Sequence, residues 1–249
     1  MLRMNATQVS ELSQQALDKA KENFREHLIG FAPERSRAAG DDGLKRYIDA
    51  GVSAALTRGL WQRGPMRLWL ETGVILGASF AADPQYARLI PEIDPREFPM
   101  PFAERLHRGV SDYLATCFGP ARSTLQRVLR DLADVDIDAS MGRADKFIAE
   151  LARIWPEKLE WTREAPLNEL FRHAEANAVR LGLDTPDGRA LCAVLSVSFG
   201  ADFADDPLCP WLHARLDAEA TARARVAGVK GALKTYYKAA ARAAVTHRG

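Results

Sequence analysis

Three aspartates, Asp202, Asp205 and Asp206, lie close enough in the sequence to suggest a metal site. Carboxylate oxygens are the ligands that hard cations prefer, but such cations usually require several oxygens that converge on one point. Asp206 also precedes Pro207, and this pair is typical of a helix start, where the carboxylate accepts hydrogen bonds from free amides and the proline needs no partner. We therefore interpret Asp206 as a helix cap and predict no metal site.

No other group of residues predicts catalysis. Cys209 and His213 are one helical turn apart and could share a zinc ion, but two ligands do not complete a tetrahedral site. None of the five histidines lies beside a serine or cysteine in a pattern that implies nucleophilic catalysis. The sequence contains no P-loop, no dinucleotide-binding glycine motif and no His-Glu-x-x-His. We predict no catalytic residue and no cofactor, while an enzyme with a site assembled from distant residues stays open as an alternative.

A basic row near the C-terminus is the first candidate for binding a partner. Lys230, Lys234, Lys238 and Arg242 recur every four residues, which places them on one helix face. Duplex nucleic acid normally requires a broader basic surface, and the net charge is only +1, so nucleic acid is the less favoured partner. Trp211, a rigid aromatic ring near a predicted helix start, is the second candidate for contact with a protein partner.

The composition is that of a globular chain. Its 249 residues are 47% hydrophobic and 27% charged, which is enough for an ample core. The longest apolar run, 190–201, is interrupted by Ser196 and Ser198 and is shorter than the roughly 20 residues of a membrane span. The N-terminus lacks the apolar stretch of a secretory signal, and Cys117 and Cys192 lie in apolar helical patterns typical of reduced, buried thiols. We expect a cytoplasmic protein that does not enter the membrane.

The chain contains an internal repeat. A shift of 123 positions aligns the two halves without a gap, and roughly nineteen of ninety compared positions are identical. The densest matches form a structural motif in each half: Gly77, Phe80, Asp83 and Pro84 in the first, and Gly200, Phe203, Asp206 and Pro207 in the second. We predict a tandem duplication of one helical unit, with residues 1–122 as the first unit and residues 123–249 as the second unit.

The repeated residues are of types that shape a backbone. Gly59-Leu60 and Gly182-Leu183 follow apolar-periodic segments, as expected where a helix ends in a left-handed glycine. Asp83-Pro84 and Asp206-Pro207, like Thr185-Pro186, predict helix starts. These signals divide each unit into four or five helices, and no segment shows the two-residue alternation of a strand.

The predicted fold is therefore all-α, with the two units packed as one pseudo-symmetric helical body. In the first unit we expect helices at about 7–31, 43–58, 65–81, 84–90 and 101–117; in the second, at about 141–155, 166–181, 186–201 and from 207 onward. An amphipathic helix at about 123–134 begins the second unit and links it to the first. Because the second unit has no proline after Pro210, one long helix from about 207 to 243 is possible, whereas Pro95, Pro99 and Pro101 forbid it in the first.

The second unit resembles a group of helical, mostly uncharacterised bacterial proteins whose genes lie beside those of type VI secretion effectors and spike proteins. The resemblance rests on Gly182-Leu183, on Phe199-Gly200-Ala201-Asp202-Phe203, and on Asp206-Pro207 followed by Pro210-Trp211. The first unit keeps this pattern as far as Asp83-Pro84 but has Ala87-Arg88 in place of Pro-Trp.

The resemblance implies an accessory role: an immunity protein that neutralises a toxin, or an adaptor or chaperone that holds an effector for loading. The expected partner is a secreted effector or spike component encoded nearby. An enzyme with an active site in the cleft between the units, and a helical nucleic-acid-binding protein, are the alternatives.

Overall fold

The fold is all-α, as the sequence predicts. A computed structural model describes the backbone of residues 6–216 and 221–246, and the side chains of residues 15–216 and 221–242. Within these ranges it contains eleven α-helices, three 3-10 helices and no strand. The α-helices are α1 Ala6–Phe31, α2 Pro33–Arg58, α3 Arg63–Leu76, α4 Pro99–Phe118, α5 Ser123–Asp134, α6 Ala144–Ile154, α7 Pro156–Thr162, α8 Glu164–Arg180, α9 Pro186–Phe199, α10 Pro210–Leu216 and α11 Ala222–Thr246. The 3-10 helices are Pro84–Leu89, Pro120–Arg122 and Ala139–Gly142.

The predicted helix ends at the Gly-Leu pairs are confirmed. Gly59 adopts a left-handed conformation with φ of 92°, and its amide donates to the carbonyls at the end of α2. The amide of Leu60 then donates to Ala55 O at 2.9 Å. In the second unit Leu183 donates to Ala178 O at 2.7 Å in the same way. Each pair closes its helix because glycine tolerates the positive φ that the closing turn requires.

The prediction of one long helix from 207 to 243 is wrong. The chain forms α10, which ends at Leu216, and then α11, which begins at Ala222. Thr221 fixes this new start because its hydroxyl accepts a hydrogen bond from the amide of Ala224 at 3.3 Å. Arg225, in the first turn of α11, donates to Leu216 O at 3.1 Å and to Leu181 O at 2.8 Å. The start of α11 is thereby attached to the ends of α8 and α10.

Helix boundaries in the two units correspond at the 123-residue shift. Pro33 and Pro156 begin α2 and α7, α3 and α9 end immediately before Gly77 and Gly200, and α4 and α11 begin at equivalent positions. The interruption is shared too: Gly40 breaks the helical conformation of α2 with φ of 67°, and Arg163 separates α7 from α8 with φ of 71°. A duplication would produce such correspondences; the duplication itself stays a prediction.

The interior is built around α9. Every residue of α9 from Ala190 to Phe199 is buried except Ser198, as expected for a core helix. It packs against α8, α11 and the 3-10 helix Ala139–Gly142. The predicted linking helix is α5, which lies along α11 and contacts α4 and α6. The segment that links the units is therefore a packed helix of the fold and not a flexible linker.

The units meet where Gly77 and Gly200 follow α3 and α9. A Cβ atom added to Gly77 would lie 2.6 Å from Phe199 O, and one added to Gly200 would lie 3.4 Å from a carboxylate oxygen of Asp83. Both glycines have positive φ, 114° and 103° respectively. The first position requires glycine because of contact and conformation, and the second chiefly because of conformation.

We predict that Gly77→Ala lowers the free energy of unfolding by about 2–4 kcal/mol, since it combines backbone strain with overpacking. Gly200→Ala is expected to cost about 1–3 kcal/mol, chiefly through strain, because its φ of 103° and ψ of 159° are accessible essentially only to glycine. The control is Gly228→Ala on α11, where nothing lies within 4 Å of the added Cβ and a helical alanine should stabilise by about 0.5–1 kcal/mol. Urea unfolding measures all three. Wild-type stability of Gly77→Ala would contradict the close approach of the units.

Candidate functional site

The basic row predicted from the sequence lies on α11. Lys234, Lys238 and Arg242 are exposed, and none of them forms an ion pair within the described ranges. Lys230 is half-buried and close to Asp138. Hydrogen bonds from Ser140 are the main cause of the lowered pKa of Asp138, and the positive charge of Lys230 adds to it. The unpaired basic surface therefore begins at Lys234.

Trp211 lies inside an aromatic cluster. Its ring stacks on Tyr236 with centroids 5.6 Å apart and a 13° angle between planes, and it meets Phe199 edge-on at 5.8 Å. The side chain is half-buried. Much of the ring therefore packs α10 against α9 and α11, which leaves only part of it for a partner.

Asp83 caps the 3-10 helix Pro84–Leu89, but the predicted helix start at Asp206 is wrong: Asp206 caps a turn at Pro207-Leu208, and α10 begins only at Pro210. Each aspartate also reaches the opposite unit. Asp83 accepts from the amides of Gln85 at 2.9 Å and Ala201 at 2.7 Å. Asp206 accepts from the amides of Leu208 at 2.8 Å and Ala78 at 3.1 Å. Each carboxylate accepts a backbone amide of its own unit with one oxygen and a backbone amide of the other unit with the second, and Asp83 Oδ2 also accepts from the Gln85 side-chain amide at 3.1 Å. We call this arrangement the crossed aspartate pair.

A buried lysine lies beside the crossed aspartate pair. Lys158, in the first turn of α7, is fully buried, and its Nζ donates to the Tyr113 hydroxyl at 2.8 Å. The same Nζ lies 4.5 Å from the ring centroid of Tyr86 and 5.6 Å from that of Trp155. Burial lowers the pKa of Lys158 to about 8, although the charge of Asp83 opposes this change. Aromatic faces and a hydroxyl thus replace water around the ammonium group.

Arg35 occupies the position 123 residues before Lys158 but has different surroundings. Its Nη2 lies 3.9 Å from Asp206 Oδ2, while its Nη1 donates to Ile75 O at 3.5 Å. Nη2 is buried and has no hydrogen-bond acceptor among the described residues. Each unit therefore directs a cation at the aspartate of the other unit, but only Lys158 is enclosed by aromatic rings.

A cavity of about 620 Å³ lies beside Arg35, between the two units. Its walls are mainly apolar and come from the ends of α1, α3, α4 and α9, the start of α2, and one face each of α5 and α11. Leu125, Leu129 and Leu132 of α5 line it and are only half-buried. Its volume is within the range of sites that enclose small ligands.

The potential metal ligands are not brought together. No cluster of three or more histidine, cysteine or acidic side chains occurs in the part of the chain that the structure describes. Asp205 pairs with Arg180 at 2.9 Å, and Asp206 belongs to the crossed aspartate pair. Burial raises the pKa of each of Cys117, Cys192 and Cys209 to about 12, which keeps these thiols protonated near neutral pH.

No protein-family model, curated protein or solved structure matches the chain. Among the described helices, none combines the length and apolar character needed to cross a membrane.

The sequence interpretation missed Lys158 and Arg35, and it named a cleft between the units without the residues that line it. One signal was present: Arg35 and Lys158 are both basic, are aligned by the repeat, and follow the identical Pro-Glu pairs 33–34 and 156–157. A basic residue at the same position of both units, next to a repeated helix start, predicts a buried ion pair. The cavity leaves no such signal because its walls come from segments far apart in the chain.

We predict that Asp83→Ala lowers the free energy of unfolding by about 3–5 kcal/mol, because it leaves buried amides unpaired and removes a counter-charge from Lys158. Asp138→Ala is the matched control: Asp138 accepts from the Ser140 amide at 2.7 Å in an equivalent cap, but it is exposed. Its loss should cost about 1 kcal/mol. Equal losses in urea unfolding would show that Asp83 is an ordinary cap.

A second prediction concerns pH. The folded state binds the Lys158 proton less tightly than the unfolded chain does, so protonation penalises the folded state below pH 8 and the penalty disappears as the pH rises to 10.5. The unfolding free energy of wild type minus that of Lys158→Met should therefore rise by about 3 kcal/mol across this interval, since one pKa unit corresponds to about 1.4 kcal/mol. Tyrosine and cysteine titrations are common to both proteins and largely cancel. If the difference in unfolding free energy between wild type and Lys158→Met does not change across this pH interval, the pKa of Lys158 is not lowered by folding.

Proposed function

We propose that this protein is a non-enzymatic, protein-binding accessory factor of a bacterial type VI secretion effector, acting in the cytoplasm as an immunity protein or as an adaptor or chaperone. The observation that carries this proposal is the exposed, unpaired basic surface of α11. We define this surface by Lys234, Lys238 and Arg242.

The like charges of this surface recur on one helix face, and α11 contains no acidic residue. Several exposed arginines elsewhere are paired with neighbouring acids, among them Arg37 with Glu34, Arg143 with Asp145 and Arg153 with Glu150. Such pairs cancel most of the field that a partner would experience. Exposed basic residues such as Lys45 and Arg46 also form no ion pair in the described part of the chain, but they do not form a row of this length. A row of like charges without acids instead favours encounter with an acidic protein surface and accelerates association at low salt.

The first unit exposes an apolar patch that suits a protein interface. Trp61 is 65% exposed, and Phe98 and Met100 are about half exposed. The side chain of Arg96 packs on Gly59, so the segments that bear Phe98 and Trp61 lie side by side. Exposed aromatic residues of this kind serve as anchors in protein interfaces. The equivalent positions in the second unit are Asp184, Thr221 and Arg223, so the patch is a feature of one unit only.

The motif that resembles proteins encoded beside type VI effectors supports the choice of partner. That motif, from Gly182 to Trp211, consists largely of residues that end helices, cap turns or pack α10. The motif is therefore evidence of common ancestry, and the surfaces that differ between the units are the better candidates for partner binding. The partner class is a secreted effector or a spike component encoded by a neighbouring gene.

We predict that Lys234→Glu with Lys238→Glu weakens the complex with the neighbouring effector on the order of tenfold at low salt, mainly through slower association. The thermal midpoint should change little, because both side chains are exposed. Lys45→Glu with Arg46→Glu, at exposed positions of α2, changes the net charge equally and is the control. Surface plasmon resonance at two salt concentrations measures the effect. Binding indifferent to both the reversal and the salt concentration would exclude the basic surface of α11.

A further inference from the structure

We propose that the cavity between the units binds a neutral aromatic molecule with fused rings and a hydroxyl group. Its rings lie between two groups of aromatic side chains in the cavity wall, and its hydroxyl group forms a hydrogen bond with Tyr236. This site is separate from the basic surface of α11 and does not depend on the proposed protein partner.

The cavity is large and its walls are mainly apolar. Leu125, Leu129 and Leu132 of α5 line it and are only half-buried, and Leu114 of α4 lines it as well. Leucine side chains between packed helices normally contact other atoms, and an unfilled volume of about 620 Å³ forfeits those contacts. Water recovers little of this loss, because most of the walls offer it no hydrogen bonds. The cavity therefore favours an apolar occupant.

The aromatic side chains of the cavity wall form two groups. Phe118 and Trp155 are the first, with ring centroids 6.2 Å apart. Phe199, Tyr236 and Tyr237 are the second, and the centroids of Phe199 and Tyr236 are 5.2 Å apart. Within the described ranges no ring contact joins the two groups. Aromatic rings whose centroids lie roughly 4.5–7 Å apart attract each other beyond the area that they bury. A flat ring system held between the groups gains such contacts, and a saturated molecule of the same shape does not.

The charged residues of the cavity wall do not suit an ionic ligand. Glu34 and Arg122 are exposed, so water solvates them, and Glu34 also pairs with Arg37 at 3.0 Å. Arg35 Nη2 is buried and does not reach the cavity, while Arg35 Nη1 donates to Ile75 O at 3.5 Å. A charged ligand would lose its hydration without gaining a counter-ion in the interior. The walls therefore favour a neutral molecule.

One hydroxyl group in the cavity wall has no partner. The Tyr236 hydroxyl forms no hydrogen bond among the described residues, and its oxygen remains accessible. In the first unit the equivalent hydroxyl, that of Tyr113, accepts from Lys158 at 2.8 Å. Burial raises the pKa of Tyr236, although the charge of Arg35 opposes this change, so the group stays protonated at neutral pH. It can donate to a ligand hydroxyl or accept from one.

Comparison of the two units explains why there is space beside Tyr236. Trp155 precedes Lys158 by three residues, and its ring lies 5.6 Å from the lysine Nζ. The residue at the same distance before Arg35 is Ala32, which lines the cavity. An indole ring in one unit is thus a methyl group in the other. The second unit of the comparison therefore fills with its own ring a volume that is left open beside Ala32.

The test uses the full chain near pH 7 with N-phenyl-1-naphthylamine, a neutral dye that fluoresces in apolar surroundings, as the probe. The competitors are 2-naphthol, naphthalene, decahydro-2-naphthol and 2-naphthoate. We expect saturable binding of one probe per chain. 2-Naphthol should compete roughly fivefold more strongly than naphthalene, because it adds one hydrogen bond. It should also compete more strongly than decahydro-2-naphthol, which lacks aromatic rings, and than 2-naphthoate, which is charged.

Two variants locate the site. Tyr236→Phe keeps the ring and removes only the hydroxyl, so it should still bind the probe but lose the preference for 2-naphthol over naphthalene. Leu129→Trp fills the cavity, leaves Tyr236 unchanged and should abolish probe binding. Leu56→Trp, at an exposed leucine of α2 that does not line the cavity, is its matched control and should bind like wild type.

Several results would overturn the proposal. Wild type without saturable binding would show that the cavity takes no such ligand, and undiminished binding by Leu129→Trp would place the dye elsewhere. Equal competition by decahydro-2-naphthol would exclude recognition of aromatic rings, and stronger competition by 2-naphthoate would exclude a preference for neutral molecules. An unchanged preference for 2-naphthol in Tyr236→Phe would exclude the hydrogen bond to Tyr236.

Discussion

The crossed aspartate pair is the interaction on which the architecture depends. Asp83 and Asp206 are nearly fully buried, and each accepts one amide from its own unit and one from the other. For these hydrogen bonds to form, the backbones after α3 and α9 must approach so closely that only glycine fits at Gly77. Burial of carboxylates also calls for nearby positive charge, because an uncompensated buried charge is costly. Arg35 lies 3.9 Å from Asp206, and Lys158 adds a positive charge near Asp83. These two cations lie in the first turns of α2 and α7.

The two units meet this shared requirement with different side chains. Lys158 is fully enclosed, because Tyr113, Tyr86 and Trp155 surround its ammonium group. The pKa of Lys158 falls to about 8 because water is excluded. Around Arg35, Ala32 and Cys209 stand at the positions of Trp155 and Tyr86, only Tyr236 repeats Tyr113, and Nη2 is buried without an acceptor among the described residues. A guanidinium tolerates this better than an ammonium does, since it is more weakly hydrated and keeps its charge. The units thus share a framework and differ in the side chains that surround each buried cation.

Local chemistry explains which features could be predicted. The Gly-Leu ends of α2 and α8, and the caps at Asp83 and Thr185, depend on residues within one turn, so the sequence was sufficient. Asp206 makes the same short-range hydrogen bond but caps a turn, because α10 begins only at Pro210. The bonds from Asp83 to Ala201 and from Asp206 to Ala78 join residues more than a hundred positions apart, and no local pattern encodes them. The predicted long helix was wrong because the absence of proline permits a helix without requiring one, whereas Thr221 and Arg225 set a new start. For the same reason the residues that line the cavity could not be foreseen, since the cavity reflects the packing of seven helices.

The helix α11 separates the cavity from the proposed basic binding surface. Tyr236 and Tyr237 on its inner face line the cavity, whereas Lys234 and Lys238, one turn or less away, are exposed on its outer face. The inner tyrosines are firmly held: Tyr236 stacks on Trp211, and the Tyr237 hydroxyl bonds to Ser198 of α9. α5 packs along α11 and shares the cavity wall with these tyrosines. The basic side chains therefore project from a helix whose inner face is fixed by aromatic and hydroxyl contacts. A partner at the basic surface would meet charges at a fixed spacing, so less conformational entropy of the backbone is lost on binding.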